Sequence, residues 1–242
     1  GDRHVSENIQ SAVESLLTKV QAAVEEAIAD ESRRAVTEAP RFNVFGLLGV
    51  SENQLSRLFA SLLNPKGPHG QGTLFLEHFL DILGASLPQS SVIQSMKDAW
   101  ISERQEVKVS IERTTVALED RRRMDIELSG AGFALMIENK PWAGDQRNQL
   151  ADYAKHLRLR YGGKFIIVYL SGGGVAPSKH SIALEEQKSL VADGSFAMLS
   201  YRTQVHKWLT DTTDKSQAPA VSATLKAAAA YIEVTFYDTA YA

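Results

Sequence analysis

Asp125, Glu138 and Lys140 are the residues of this 242-residue chain whose types and spacing could do chemistry together. Glu138 and Lys140 are two positions apart, and side chains at i and i+2 of a strand share a face. They therefore point one way while Ile137 and Asn139 point the other. The turn Ser129-Gly130-Ala131-Gly132 is short enough to make an antiparallel hairpin of the stretches on either side. Met124, Ile126 and Leu128 would then line the apolar side with Phe133, Leu135 and Ile137, leaving Asp125 and Glu127 beside Glu138 and Lys140. Carboxylates held that close repel unless a cation joins them. Oxygen ligands alone favour Mg2+ or Mn2+ over zinc, and the Asn139 carbonyl offers a further oxygen next to Asp125 and Glu138. An ion in such an incomplete shell polarises a phosphorus centre and acidifies a bound water. Lys140 is placed to orient that water or to neutralise charge in the transition state. The chemistry implied is phosphodiester hydrolysis.

The elements that must position these residues follow from periodicity. Residues 6–39 form a long helix candidate with Ile9, Val13, Leu16, Val20, Val24 and Ile28 at spacings of three and four. Two readings stand for it: packing along its own domain, or pairing across a homodimer, since the spacing approaches a heptad. An apolar connector leads to Ser51, an N-cap for a helix through Leu63. After the Gly- and Pro-rich loop 64–72 come a helix through Leu83 and a short one over 90–100. Val107, Val109 and Ile111 alternate as a first strand continuing through Ala117, and the hairpin supplies two more. Residues 145–161 are expected to be a helix, and KFIIVYL at 164–170 a buried central strand. A strand at 196–199, a helix through Leu209, a loop at 210–219 and a helix at 220–237 complete the chain. The fold class is α/β, a mixed sheet flanked by helices. The expected division is a long N-terminal helix, 1–40, and one domain, 41–242.

Bulk composition narrows the classes. No cysteine is present, which excludes disulfides, thiol nucleophiles and cysteine-based zinc sites. The formal net charge of −3 gives no overall basic signature, so nucleic acid would have to be bound by a local patch. No apolar run reaches the ~18 residues of a membrane span, and no signal-peptide pattern opens the chain. A cytoplasmic protein without membrane contact is the expectation.

Asp125 on one strand and Glu138-Asn139-Lys140 at the end of the next resemble the PD-(D/E)XK nuclease superfamily. Gln149 and Tyr153 resemble the Gln-xxx-Tyr helix motif of its exonuclease-like branches. ENQLSRLFASLLNPKGPHGQG, RRRMDIEL, MIENKPWAGDQRNQLADY and SYRTQVHKWL are similar to a bacterial and phage branch of that superfamily, over residues 42–208. The resemblance implies a restriction-endonuclease-like αβββαβ core with N- and C-terminal helical additions. It further implies a Mg2+- or Mn2+-dependent nuclease acting on DNA, with Asp125 and Glu138 on the metal and Lys140 catalytic. Gln149 and Tyr153 would approach the site or the nucleic acid, and Glu52 matches a helical Glu that adds a metal ligand in related nucleases. The superfamily's Pro is replaced by Met124. The alternative is a nucleic-acid-binding or interaction module that keeps the nuclease fold without turnover.

Other residues invite plainer explanations. An acid at Glu52, in the first turn of a helix, is favoured by the helix dipole alone. The run Arg121-Arg122-Arg123 could bind phosphate or simply be a solvated edge. Arg147, Lys155, Arg158, Arg160 and Lys164 follow the motif in sequence and could track a nucleic-acid backbone. His69 is expected to make a structural hydrogen bond.

Overall fold

The structure, a computed structural model, describes residues 2–39, 42–114, 123–142 and 144–237, with side chains before residue 11 and at 112–114 left out. Pro40, Arg121, Arg122 and the expected strand extension at 115–117 lie outside the described residues. The chain divides into two compact units, Gly1–Val44 and Phe45–Ala242. The first holds one helix, α1 (Asp2–Thr37). Val13, Leu16, Val20, Val24 and Ile28 on it are all exposed.

The second unit is built on a five-stranded sheet in the order β1 (Lys108–Thr114), β2 (Arg123–Gly130), β3 (Phe133–Lys140), β4 (Phe165–Ser171), β5 (Phe196–Ser200). β1, β2 and β3 are antiparallel neighbours, whereas β3, β4 and β5 run parallel. Only Ala131 and Gly132 separate β2 from β3, and both have positive φ, 53° and 78°. That is the two-residue turn whose twist matches the strands it joins. The register Ile126↔Ile137 and Leu128↔Leu135 follows from it, and it carries Asp125 alongside Glu138 one step further on. β4 is buried along its whole length, as the apolar run at 164–170 predicts.

Helices cover both faces. Ile126, Leu128, Leu135, Ile137, Val168 and Leu170 pack with α3 (Glu52–Leu63), α4 (Leu74–Ser86), α5 (Ser91–Lys97), α8 (His206–Thr213) and α9 (Pro219–Phe236). Ala134, Met136, Ile167 and Tyr169 pack with α6 (Gln149–Tyr161) and α7 (Leu184–Ala192) on the other face. The face that carries Glu138 is thus a second core. Met124, expected beside Ile126, belongs to this second cluster. The connector to α3 holds a short helix, α2 (Val44–Leu48).

Three further expectations are corrected. The helix expected from 145 begins at Gln149, because the Asp145 carboxylate is taken by the Tyr169 hydroxyl at 2.7 Å and by the Ser178 backbone N–H. Thr210 to Thr213, expected in a loop, close α8, with the Thr212 and Thr213 hydroxyls bonded to carbonyls one turn back. α7 was not expected at all; Leu190 is its only fully buried residue.

Candidate active site

The site is assembled where β3 and β4 end side by side, with Lys140 opposite Ser171. The C-terminal ends of parallel strands are where open α/β sheets place ligands. Glu138, near the end of β3, is fully buried between neighbouring strands and under α6. Lys140 Nζ lies 2.8 Å from Glu138 Oε1, 3.0 Å from Glu52 Oε1 and 3.9 Å from Asp125 Oδ2. One ammonium therefore faces three carboxylates.

Glu52 arrives from the opposite face of the sheet. The capping box of α3, Ser51 with Gln54, fixes where that helix starts. The Asn139 side chain then holds the start against the strand. Its Nδ2 donates to Ser56 Oγ at 2.9 Å and to the Glu52 carbonyl at 3.3 Å, and its Oδ1 accepts from the Tyr201 hydroxyl at 2.7 Å. The Asn139 backbone N–H donates to Asp125 Oδ2 at 2.8 Å, so the same residue orients the first acid. Tyr201 and Ser56 were not singled out from sequence; the only signal was that SYRTQVHKWL and ENQLSRLF fall in the stretches carrying the family resemblance.

Gln149 and Tyr153 stand one helical turn apart on α6 and face Glu138. Gln149 Nε2 donates to Glu138 Oε1 at 2.6 Å and to the Tyr153 hydroxyl at 3.1 Å. Its Oε1 accepts from the Gln146 N–H at 3.2 Å, which satisfies the buried amide. Tyr153 in turn donates to the Arg123 carbonyl. Both residues act on the position of Glu138.

Burial, with Asp125 nearby, pushes the Glu138 carboxyl up to about 8. Burial works against the Lys140 ammonium, but Glu138 and Asp125 outweigh it and hold the lysine charged well above its usual range. Burial, reinforced by Glu138, raises Tyr153, which keeps its proton.

Two further observations bear on a cation. Glu138 Oε2 is buried and has no hydrogen-bond partner among the described residues, a donor oxygen that a metal could satisfy. Among the described residues no group of three or more His, Asp or Glu side chains is spaced to hold an ion by itself. Asp125, Glu138 and the Asn139 carbonyl are the oxygens here that could hold an ion, with the remaining ligands left to water or substrate.

Several sequence candidates fall elsewhere. Lys164 lies over the Phe133 ring at 5.8 Å, and Arg160 over Tyr161 at 5.6 Å. Phe133 begins β3 and Lys140 ends it, so Lys164 is about 23 Å along the strand from the site at ~3.3 Å per residue. Proximity in sequence did not survive the crossover through α6. His69 is buried and structural: its Nδ1 accepts from the Gln71 N–H at 3.0 Å, and its Nε2 meets the Asn64 carbonyl at 2.9 Å. A cleft of about 400 Å³ beside Lys66, Trp100 and Arg104 contains none of the candidate residues. No described helix is long and apolar enough to cross a membrane.

Residues 42–233 match the PD-(D/E)XK nuclease superfamily, which covers most of the chain. The chain belongs to that superfamily. No functionally curated protein and no solved structure matches it.

Proposed function

We propose that this protein is a Mg2+- or Mn2+-dependent nuclease that hydrolyses phosphodiester bonds of DNA at the end of β3. The observation that carries the reading is the position of Lys140 Nζ, 2.8 Å from Glu138 and 3.9 Å from Asp125. An ammonium facing two acids, inside a nuclease family, is an arrangement suited to in-line phosphodiester hydrolysis.

Asp125, Glu138 and the Asn139 carbonyl would hold the ion, and Glu52 could add a fourth oxygen. The metal would supply charge at the phosphate and a water of lowered pKa. Lys140 then orients the attacking water through one N–H while its charge balances the oxygens of the phosphorus centre. Gln149 holds Glu138, with Tyr153 behind it, and the Asn139 N–H holds Asp125. Incubation of the pure protein with linear, nicked and single-stranded DNA, and with RNA, in Mg2+ or Mn2+ tests the proposal. Metal-dependent cutting of DNA that Lys140→Ala abolishes is the expected result; cutting that survives Lys140→Ala contradicts it.

A second reading, a binding module that keeps the fold without turnover, draws on Lys140, which already serves Glu52, Asp125 and Glu138 as their shared counter-charge. Calorimetry separates the two, since a silent module takes up no Mn2+ through Asp125 and Glu138. The proposal extends to self-association through the exposed stripe of α1. Light scattering of Val20→Asp/Val24→Asp protein should then show a lower mass than the parent, and an equal mass removes that part.

A further inference from the structure

We propose that Trp142 is a stacking platform for an unpaired base of the DNA strand whose phosphate lies at Lys140; this rests on the nuclease reading above. Trp142 is half open to solvent, at 51%, whereas Trp100 and Trp208 are each only 1% exposed. It follows Lys140 by two residues, so the two Cα atoms are within about 7 Å of each other. An aromatic ring of this size left open beside a polar site forgoes the burial that usually settles a tryptophan.

The ring is held in place. It stacks on Phe236 with centroids 5.9 Å apart and planes 22° apart. Phe236 also packs on Tyr201 at 4.8 Å, and Tyr201 donates to Asn139. Gly172 sustains this contact: a Cβ there would come within 2.6 Å of the Pro141 carbonyl oxygen and 2.9 Å of the Phe236 ring. The platform is therefore tied, ring to ring and then through one hydrogen bond, to the residue between Glu138 and Lys140.

The surroundings match a nucleic-acid strand. Exposed Arg202 lies over the Tyr237 ring at 5.3 Å, next to Phe236, and its backbone N–H donates to the Gly172 carbonyl. Arg202 joins this run of rings through Tyr237, the residue after Phe236, and single-strand sites combine rings for the bases with a cation for the backbone. A base within a duplex has both faces covered by its neighbours, so this ring selects an unpaired one.

Trp100 and Trp208 are buried, so quenching of the intrinsic fluorescence by contact with a bound strand reports on Trp142. Wild-type protein in EDTA, where no metal-dependent cutting occurs, would be titrated with a short oligothymidylate and with a relaxed closed-circular duplex, which has no ends, at equal nucleotide concentration. The expected result is saturable quenching by the single strand and little by the duplex. Trp142→Ala should abolish the quench and weaken anisotropy-detected binding of the labelled strand about 5- to 150-fold, with Trp142→Phe restoring most of the affinity. Equal quenching by duplex, no quenching by the single strand, or unchanged binding in Trp142→Ala overturns the inference. Cleavage by the same preparation in Mn2+ is scored separately. Trp142-dependent binding without cutting would sink the turnover and leave the platform standing, while cutting without Trp142-dependent binding would do the reverse.

Discussion

Gln149 donates its Nε2 to Glu138 Oε1 at 2.6 Å, on the same oxygen that Lys140 reaches at 2.8 Å. One carboxylate oxygen is thereby fixed by two donors, while Glu138 Oε2 keeps no hydrogen-bond partner among the described residues. Residues that orient a metal ligand from behind are worth about 10–100-fold in metal affinity or activity. Gln149→Ala should lower metal-dependent cleavage by that factor and weaken Mn2+ binding in parallel. Unchanged Mn2+ affinity would detach Gln149 from the site.

Ion-free protein should lose stability as pH rises. Glu138 titrates near 4.5 in an unfolded chain and at about 8 when buried beside Asp125. Between those values the folded state holds a proton that the unfolded chain has released, so stability falls with rising pH. The stability is complete below about 4.5 and the loss levels off above about 8. Lys140, raised from its already high value, does not titrate in that window. Urea denaturation in EDTA across the window should show the decline, and Glu138→Gln should flatten it. A flat profile in the wild type contradicts the account of Glu138.

Asn139 joins α3, β2 and Tyr201. Asn139→Ala leaves the buried Tyr201 hydroxyl and Ser56 without this partner, at about 1–3 kcal/mol for each unsatisfied group. Thermal melting should register the loss, and the Glu52 carboxylate should lose its hold near Lys140. Tyr201→Phe removes only one of these bonds and should cost less. A Tyr201→Phe penalty equal to that of Asn139→Ala would mean that the α3 bonds contribute little.

Much of this arrangement is legible in the sequence, for local reasons. The hairpin follows from the alternation Met124 to Leu128 and the short turn Ser129 to Gly132, β4 from its apolar run, and the start of α3 from Ser51 as N-cap. What was not legible depends on partners distant in the chain. Helix α6 starts late because Asp145 is held by Tyr169 and Ser178, 24 and 33 residues on. Tyr201 meets Asn139 across 62 residues. Glu52 looks like an ordinary first-turn acid until the fold sets it 3.0 Å from Lys140. Helix α7 offered no stripe, because so little of it is buried. Lys164 shows the converse, a neighbour of the motif in sequence that the crossover carries to the far end of the strand.

The central claim is that Asp125 and Glu138 share an ion. Crystals soaked in Mn2+ and measured for anomalous scattering test it most directly. The account predicts a peak within direct ligand distance of both carboxylates and of the Asn139 carbonyl, with Lys140 displaced from Glu138 toward the substrate side, and no peak in Asp125→Asn crystals. A map with no peak between Asp125 and Glu138 at saturating Mn2+, or with its peak at another cluster, would contradict the account.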